Sequence, residues 1–159
     1  MTKKLFLIIF SFSLLFACHQ SSQENNYKNG KKDGLWIERY PDRKVESETN
    51  YVNGIKEGAQ KEYFQNGNIK ATANFKNGEF YGWLKMYYSN GKINFQEYYN
   101  EEGKSDSLFQ LWFKSGGLSQ QGFNKNGKMN GEWFYFSEKG DTIKINTYKN
   151  DTLLSSIEK

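Results

Sequence analysis

Cysteine, histidine and proline each occur once in the 159 residues. A single cysteine cannot form an internal disulfide. The single histidine, His19, sits beside that cysteine, so neither a Cys/His zinc set nor a Ser-His-Asp triad can be assembled. No stripe of one charge runs along the chain. Lysine and arginine are scattered among glutamates, which is not the footprint of a nucleic-acid binder. No glycine-rich loop stands between a strand and a helix to cradle phosphate, because the glycines recur at a fixed period. After residue 18 no apolar pattern repeats every 3.6 residues, so amphipathic helices are not expected. These absences point to a protein that is not an enzyme, with no cofactor, no metal and no nucleic-acid partner.

The one long hydrophobic run stands at the N-terminus. Met1-Thr2-Lys3-Lys4 precedes 13 apolar or small residues, Leu5 to Ala17. That length matches the roughly 7–15 residues of a signal-peptide core and falls short of the ~20 needed to span a bilayer. Leu15-Phe16-Ala17-Cys18 resembles the lipobox of bacterial lipoproteins. The resemblance implies diacylglyceryl transfer to the Cys18 sulfur, cleavage before Cys18, and acylation of the new N-terminus, with palmitate as a typical chain. The chain therefore divides into a helical signal peptide (1–17), a lipidated cysteine with a polar tether (18–26), and a folded domain (27–159). Cleavage removes Lys3 and Lys4 and leaves a net charge of +2, so the precursor's +4 says little about acidic partners. The expected location is the cell envelope. His19 rather than Asp after the cysteine favours the outer membrane of a Gram-negative cell, by resemblance to enterobacterial sorting.

Aromatic and glycine content are high: 11 Tyr, 13 Phe, 4 Trp and 15 Gly. Both follow from an internal repeat. Segments open at Tyr27, Tyr51, Phe75, Tyr99, Phe123 and Tyr148, at intervals of 24 residues and finally 25. On this phasing the last two full units each gain a residue in their first turn, and the sixth is a truncated cap. Each unit has a first turn with Asn-Gly, whose glycines are Gly30, Gly54, Gly78 and Gly127. A second turn glycine follows four residues on: Gly34, Gly58, Gly82 and Gly131. Asn-Gly marks a tight hairpin, since both central residues need positive φ. A strand of ~6 residues, a second turn and a second strand complete the unit. Ile69, Ala71, Ala73 and Phe75 alternate with Lys70, Thr72 and Asn74, as a strand with one packed face does. The predicted fold is all-β: an elongated single-layer antiparallel meander of about five 24-residue hairpins.

The spacing Tyr-x-Asn-Gly-Lys-x-x-Gly-x-Trp, at Tyr27, Asn29, Gly30, Lys31, Gly34 and Trp36, resembles the MORN repeat. It is most similar to the bacterial variant in the family often labelled YwqK-like antitoxins. The resemblance covers residues 27 to about 154. It implies a hairpin sheet and a membrane-associated, scaffold-like or antitoxin role. The fourth unit departs from the pattern. Glu101-Glu102-Gly103 replaces Asn-Gly and Ser107 replaces glycine, which marks that turn as irregular.

Two parities of side chain compete for burial. One holds Trp36, Leu84, Phe109 and Trp133, with Met86, Leu111, Tyr135, Tyr40, Phe64, Tyr88 and Phe113, and reads as the packed face. The other holds Tyr63, Trp83, Tyr87, Trp112, Phe134 and Phe136, the candidate binding face. Its partner is expected to be a protein, gripped there or along an unpaired edge strand, with a glycan or cell-wall polymer as the alternative. Glu38 and Glu62 share one repeat position about 10 Å apart, at the wide edge of the spacing of inverting glycosidases. They read better as solvated residues paired with lysine or arginine, as Glu46, Glu48 and the Glu101-Glu102 turn read as polar surface.

Overall fold

The computed structural model describes residues 24–159, and no helix is present among them. The signal peptide, Cys18 and His19 lie outside the described residues. Thirteen strands follow in order: β1 Asn26–Lys28, β2 Lys31–Arg39, β3 Val45–Val52, β4 Ile55–Tyr63, β5 Ile69–Lys76, β6 Glu79–Phe80, β7 Gly82–Tyr87, β8 Ile93–Tyr99, β9 Leu108–Trp112, β10 Leu118–Lys125, β11 Lys128–Phe136, β12 Thr142–Lys149 and β13 Thr152–Glu158. They form one antiparallel meander in chain order, with the short β6 pairing β5 beside the main path. This is the hairpin sheet expected from the repeat.

Both turn types follow from local chemistry. In the first turn Asn and Gly both take positive φ, at 52° and 73° for Asn29-Gly30 and 51° and 85° for Asn53-Gly54. These are the values of a tight hairpin turn that matches strand twist. The turn glycine also bonds the preceding repeat: Gly54 N donates to Lys32 O at 2.7 Å and Gly78 N to Lys56 O at 3.0 Å. Acidic side chains add to this stitching, since Asp33 and Glu57 accept from Asn53 N (3.2 Å) and Asn77 N (2.7 Å). The second turn is closed by paired bonds such as Phe64 N to Asn68 O and Gly67 N to Phe64 O, both 2.8 Å. Its left-handed residue is Gly67, Gly91, Gly116 or Gly140, but Arg43 in the first unit.

The second glycines are not turn residues. Tyr51 pairs with Lys56 and Thr49 with Gln60, so Glu57, Gly58 and Ala59 stand opposite Asn50 alone. Gly58 adopts φ 83° at this bulge, which no β-carbon-bearing residue enters cheaply. Continuous pairing through the bulges explains why most strands run 8 or 9 residues rather than ~6.

The structure corrects the phase of the fifth repeat. Lys125 pairs with Lys128 around Asn126-Gly127 as Lys28 pairs with Lys31 around Asn29-Gly30, so Asn124 holds the position of Tyr27. Asn124 is buried while Phe123 is 55% exposed. The extra residue belongs to the fourth unit alone. The aromatic ring that opens every earlier unit, from Tyr27 to Tyr99, is what points to Phe123 in the sequence.

Cross-strand register sorts the side chains. One face carries Trp36, Glu38, Ser47, Thr49, Glu62, Ala71, Met86, Phe95, Phe109 and Trp133. The buried hydrophobic residues Ala73, Phe75 and Trp133 all belong to it. Rings pack in series here: Tyr27, Trp36 and Tyr51; Phe75, Phe80 and Tyr99; and Phe95, Phe109, Trp133 and Tyr148, with centroids 4.8–6.3 Å apart. Such pairs stabilise by about 0.5–1.5 kcal/mol each beyond area burial. This Trp133 face is the packed face of the sequence reading. Met86 is nonetheless more than one-third exposed there, so burial is uneven along it.

Candidate binding face

The opposite face carries the row Ile37, Glu48, Lys61, Thr72, Lys85, Gln96, Gln110, Gln121, Phe134, Ile145 and Ile157, each paired with the next. Strand alternation places Tyr63, Trp83, Tyr87, Trp112 and Phe136 two residues from members of that row, on the same side. All six candidate aromatics thus share one face. Tyr63, Tyr87, Trp112 and Phe136 occupy one repeat position and form a column across β4, β7, β9 and β11. Each is half-buried, whereas Trp83 is 42% exposed. Register gives the reason: Tyr63 pairs with Ile69, Tyr87 with Ile93, Trp112 with Leu118 and Phe136 with Thr142, so successive rings of the column stand two strands apart and do not close over one another. No second layer covers this face among the described residues.

Sequence reasoning missed two rings of this face. Tyr98 stands edge-on to Trp83, with centroids 5.5 Å apart. Phe123 joins the face once the phase is corrected. Aligning the units on their Asn-Gly pairs rather than on their aromatics would have found it. Tyr63 donates to Glu48 Oε2 at 3.2 Å. Burial, then the Glu48 charge, raises its pKa above the ordinary tyrosine value.

The Trp133 face carries a polar hollow of about 390 Å3 lined by Trp36, Tyr51, Glu38, Glu46, Glu62 and their neighbours. Ser47 stands between Glu38 and Glu62 in register, as two intervening strand spacings require. Ser47 donates to Glu38 at 3.1 Å and Lys32 lies 4.0 Å away. Glu62 meets Lys70 at 3.2 Å and accepts from Gln60 at 3.0 Å. The two carboxylates are engaged separately, each with its own cation, as a solvated strand face would hold them. Glu46 lines this hollow, while Glu48 points to the other face. Among the described residues no three of His, Cys, Asp and Glu are grouped to hold a metal ion.

The irregular fourth unit builds a buried polar cluster. Its turn is a bonded loop from Asn100 to Lys104, and only the bridge Tyr99–Ser105 continues the pairing before β9. Glu97 is 7% exposed. Ser105 donates to its Oε1, Asn124 Nδ2 reaches the same oxygen at 2.6 Å, and Tyr99 donates to Oε2 at 3.0 Å. Burial, then the Glu97 charge, pushes the Tyr99 phenol up to about 12. Ser107, in place of glycine, accepts from Tyr98 N at 3.2 Å.

The family model described as MORN repeat variant matches residues 56–77 and 84–104. The first span covers β4 with β5, and the second covers β7 with β8. No curated protein matches the chain. The two matched spans each hold one hairpin of the sheet, and the chain accordingly contains MORN-variant repeats at these positions.

Proposed function

We propose that this chain is a non-catalytic, membrane-anchored scaffold that binds a protein partner through the face bearing Trp112. The observation that carries the reading is the Tyr63–Tyr87–Trp112–Phe136 column: half-exposed rings at one repeat position on an uncovered sheet face. Amphipathic rings of this kind provide contact area at little entropic cost. A lipid on Cys18 and the polar tether that follows it hold the sheet near the envelope membrane, the outer one in a Gram-negative cell. The finer form of the reading is immunity, akin to the YwqK-like antitoxins, against a toxin met outside the cytoplasm.

The test is a pull-down from a detergent extract of the envelope, with Tyr87→Ser/Trp112→Ser as comparison. One dominant protein band with wild type, lost with the folded double variant, is the expected result. Equal capture by both removes this face from the proposal. Lipid attachment is checked separately with a palmitate analogue. Cys18→Ser should lose the label, and equal incorporation refutes the anchor.

A glycan- or cell-wall-binding module is the second reading. Trp83 favours it, because an exposed indole steadied by Tyr98 is a stacking platform for a sugar ring. Retention on peptidoglycan or polysaccharide, abolished by Trp83→Ala, would select this reading over the first.

A further inference from the structure

The Trp133 face is not filled evenly along the sheet. Across β2, β3 and β4, Trp36 pairs with Thr49 and Thr49 with Gln60, while Glu38 pairs with Ser47 and Ser47 with Glu62. The long side chains stand on β2 and β4, strands about 9–10 Å apart. Between them β3 presents only a serine and a threonine. At the same repeat positions β8 presents Phe95 and Glu97, and on β10 the Trp133 ring covers Gly122. The short β3 side chains therefore floor the hollow of about 390 Å3. Its size lies within the roughly 300–1,000 Å3 of small-molecule sites.

Most of the wall is held by its own bonds. Lys56 Nζ donates to Gln60 Oε1 at 3.0 Å, and Gln60 Nε2 to Glu62 Oε1 at 3.0 Å. Lys70 Nζ lies 3.2 Å from Glu62 Oε2, and Ser47 donates to Glu38 at 3.1 Å. The Lys32 ammonium lies 4.2 Å from the centre of the Trp36 ring and 5.0 Å from that of Tyr51. Such a wall is organised before any ligand arrives. The Thr49 hydroxyl, the Tyr51 hydroxyl and the Glu46 carboxylate line the same hollow and have no partner among the described residues. Thr49 is only 5% exposed, and a buried hydroxyl is costly unless something bonds it. It faces the space that a ligand would fill.

The chemistry of these groups defines the ligand. Glu38, Glu46 and Glu62 are balanced by Lys32, Lys56 and Lys70, so no net charge selects an ion. The free groups are a carboxylate, which only accepts, and two hydroxyls, which donate and accept. Trp36 and Tyr51 add an aromatic wall. A neutral ring bearing several hydroxyls matches all three features. Its hydroxyl protons suit Glu46, its oxygens suit Thr49, and its C–H face suits the rings. We infer that the hollow binds a small saccharide, a mono- or disaccharide, on the face opposite the Trp112 column. A zwitterion such as an amino acid is served less well, because each ammonium is already engaged.

The test is titration calorimetry on the full chain, in a detergent without a sugar headgroup. The probes are glucose, galactose, N-acetylglucosamine, cellobiose, lactose and chitobiose, each up to about 10 mM, which reaches weak small-ligand affinity. At least one should bind saturably. Thr49→Val removes the hydroxyl at nearly constant shape and should weaken binding by at least about threefold. Thr49→Ser, which restores the hydroxyl, should keep the parent affinity. Glu46→Ala, at the surface of the hollow, should also weaken binding by at least about threefold. Several results overturn the inference: no sugar binds, choline or glycine binds instead, Thr49→Val matches the parent, or Thr49→Val and Thr49→Ser lose affinity equally. Loss in Trp83→Ala with Thr49→Val unaffected places the sugar on the other face and overturns it too. None of these outcomes decides whether the Trp112 face holds a protein.

Discussion

Gly122 occupies the repeat position held by Thr49, Ala73, Glu97 and Asn146, and the reason is steric. A β-carbon there would lie 2.1 Å from the Trp133 ring. Phe109 and Trp133 come from strands two apart, yet their centroids are 5.0 Å apart, because β10 presents only Gly122 between them. Gly122→Ala should therefore cost about 3 kcal/mol, since the ring it displaces is 2% exposed and has nowhere to move. Urea denaturation measures this, and a change below about 0.5 kcal/mol would contradict the packing account. The cluster around Glu97 makes a second residue-scale prediction. Tyr99 titrates near 10 when unfolded and about 12 when folded, because burial and the Glu97 charge oppose ionisation. A raised folded pKa contributes stability that is intact below pH 10 and lost as pH rises toward 12. Burial pushes Tyr135 up to about 12 as well, with the same sign. Midpoint temperatures should hold below pH 10 and fall from 10 to 12. Tyr99→Phe should reduce that fall without abolishing it, and an unchanged fall would exclude Tyr99.

The elements were largely legible because the repeat wrote its turns in residues with one conformational reason to be there. Asn-Gly at 29-30, 53-54, 77-78 and 126-127 predicts four hairpins, and all four adopt the paired positive φ. The bulges were not legible: Gly58 reads as a turn glycine, and only strand pairing reveals that it absorbs extra residues inside a ladder. Edge closure by Asn25 was equally hidden, since nothing local distinguishes a tether asparagine from one that imitates a strand. Asn25→Ala removes two bonds to Ile37, each contributing about 0.5–1.5 kcal/mol. Amide exchange at Ile37 should accelerate while exchange in β12 stays unchanged. Equal protection of Ile37 in the variant would show that the amide does not close the edge.

At the scale of the molecule, every hairpin among the described residues pairs only with its sequence neighbours, so stability is local. Trp36 ties the first three strands together through Tyr27 and Tyr51 rings and a bond from Nε1 to Asn26 O at 3.2 Å. Trp36→Ala should cost about 2 kcal/mol, and hydrogen exchange should show the loss confined to β1–β3. Simultaneous loss of protection in β11–β13 would mean that the sheet melts as one unit instead.

What the sequence determined alone was periodicity: hairpin turns, side-chain alternation, and the two parities that became two faces. These are nearest-neighbour properties, set by φ preferences and by the two-residue pleat, and they need no distant partner. Tertiary structure decided what depends on register across strands. It placed Gly122 beneath Trp133 and gathered Glu97, Ser105 and Asn124 into one buried cluster from three strands or loops. It also set the Asn25 amide against the backbone of Ile37. A one-residue shift exchanges the faces of a strand, so these outcomes rest on pairing that composition and spacing do not encode.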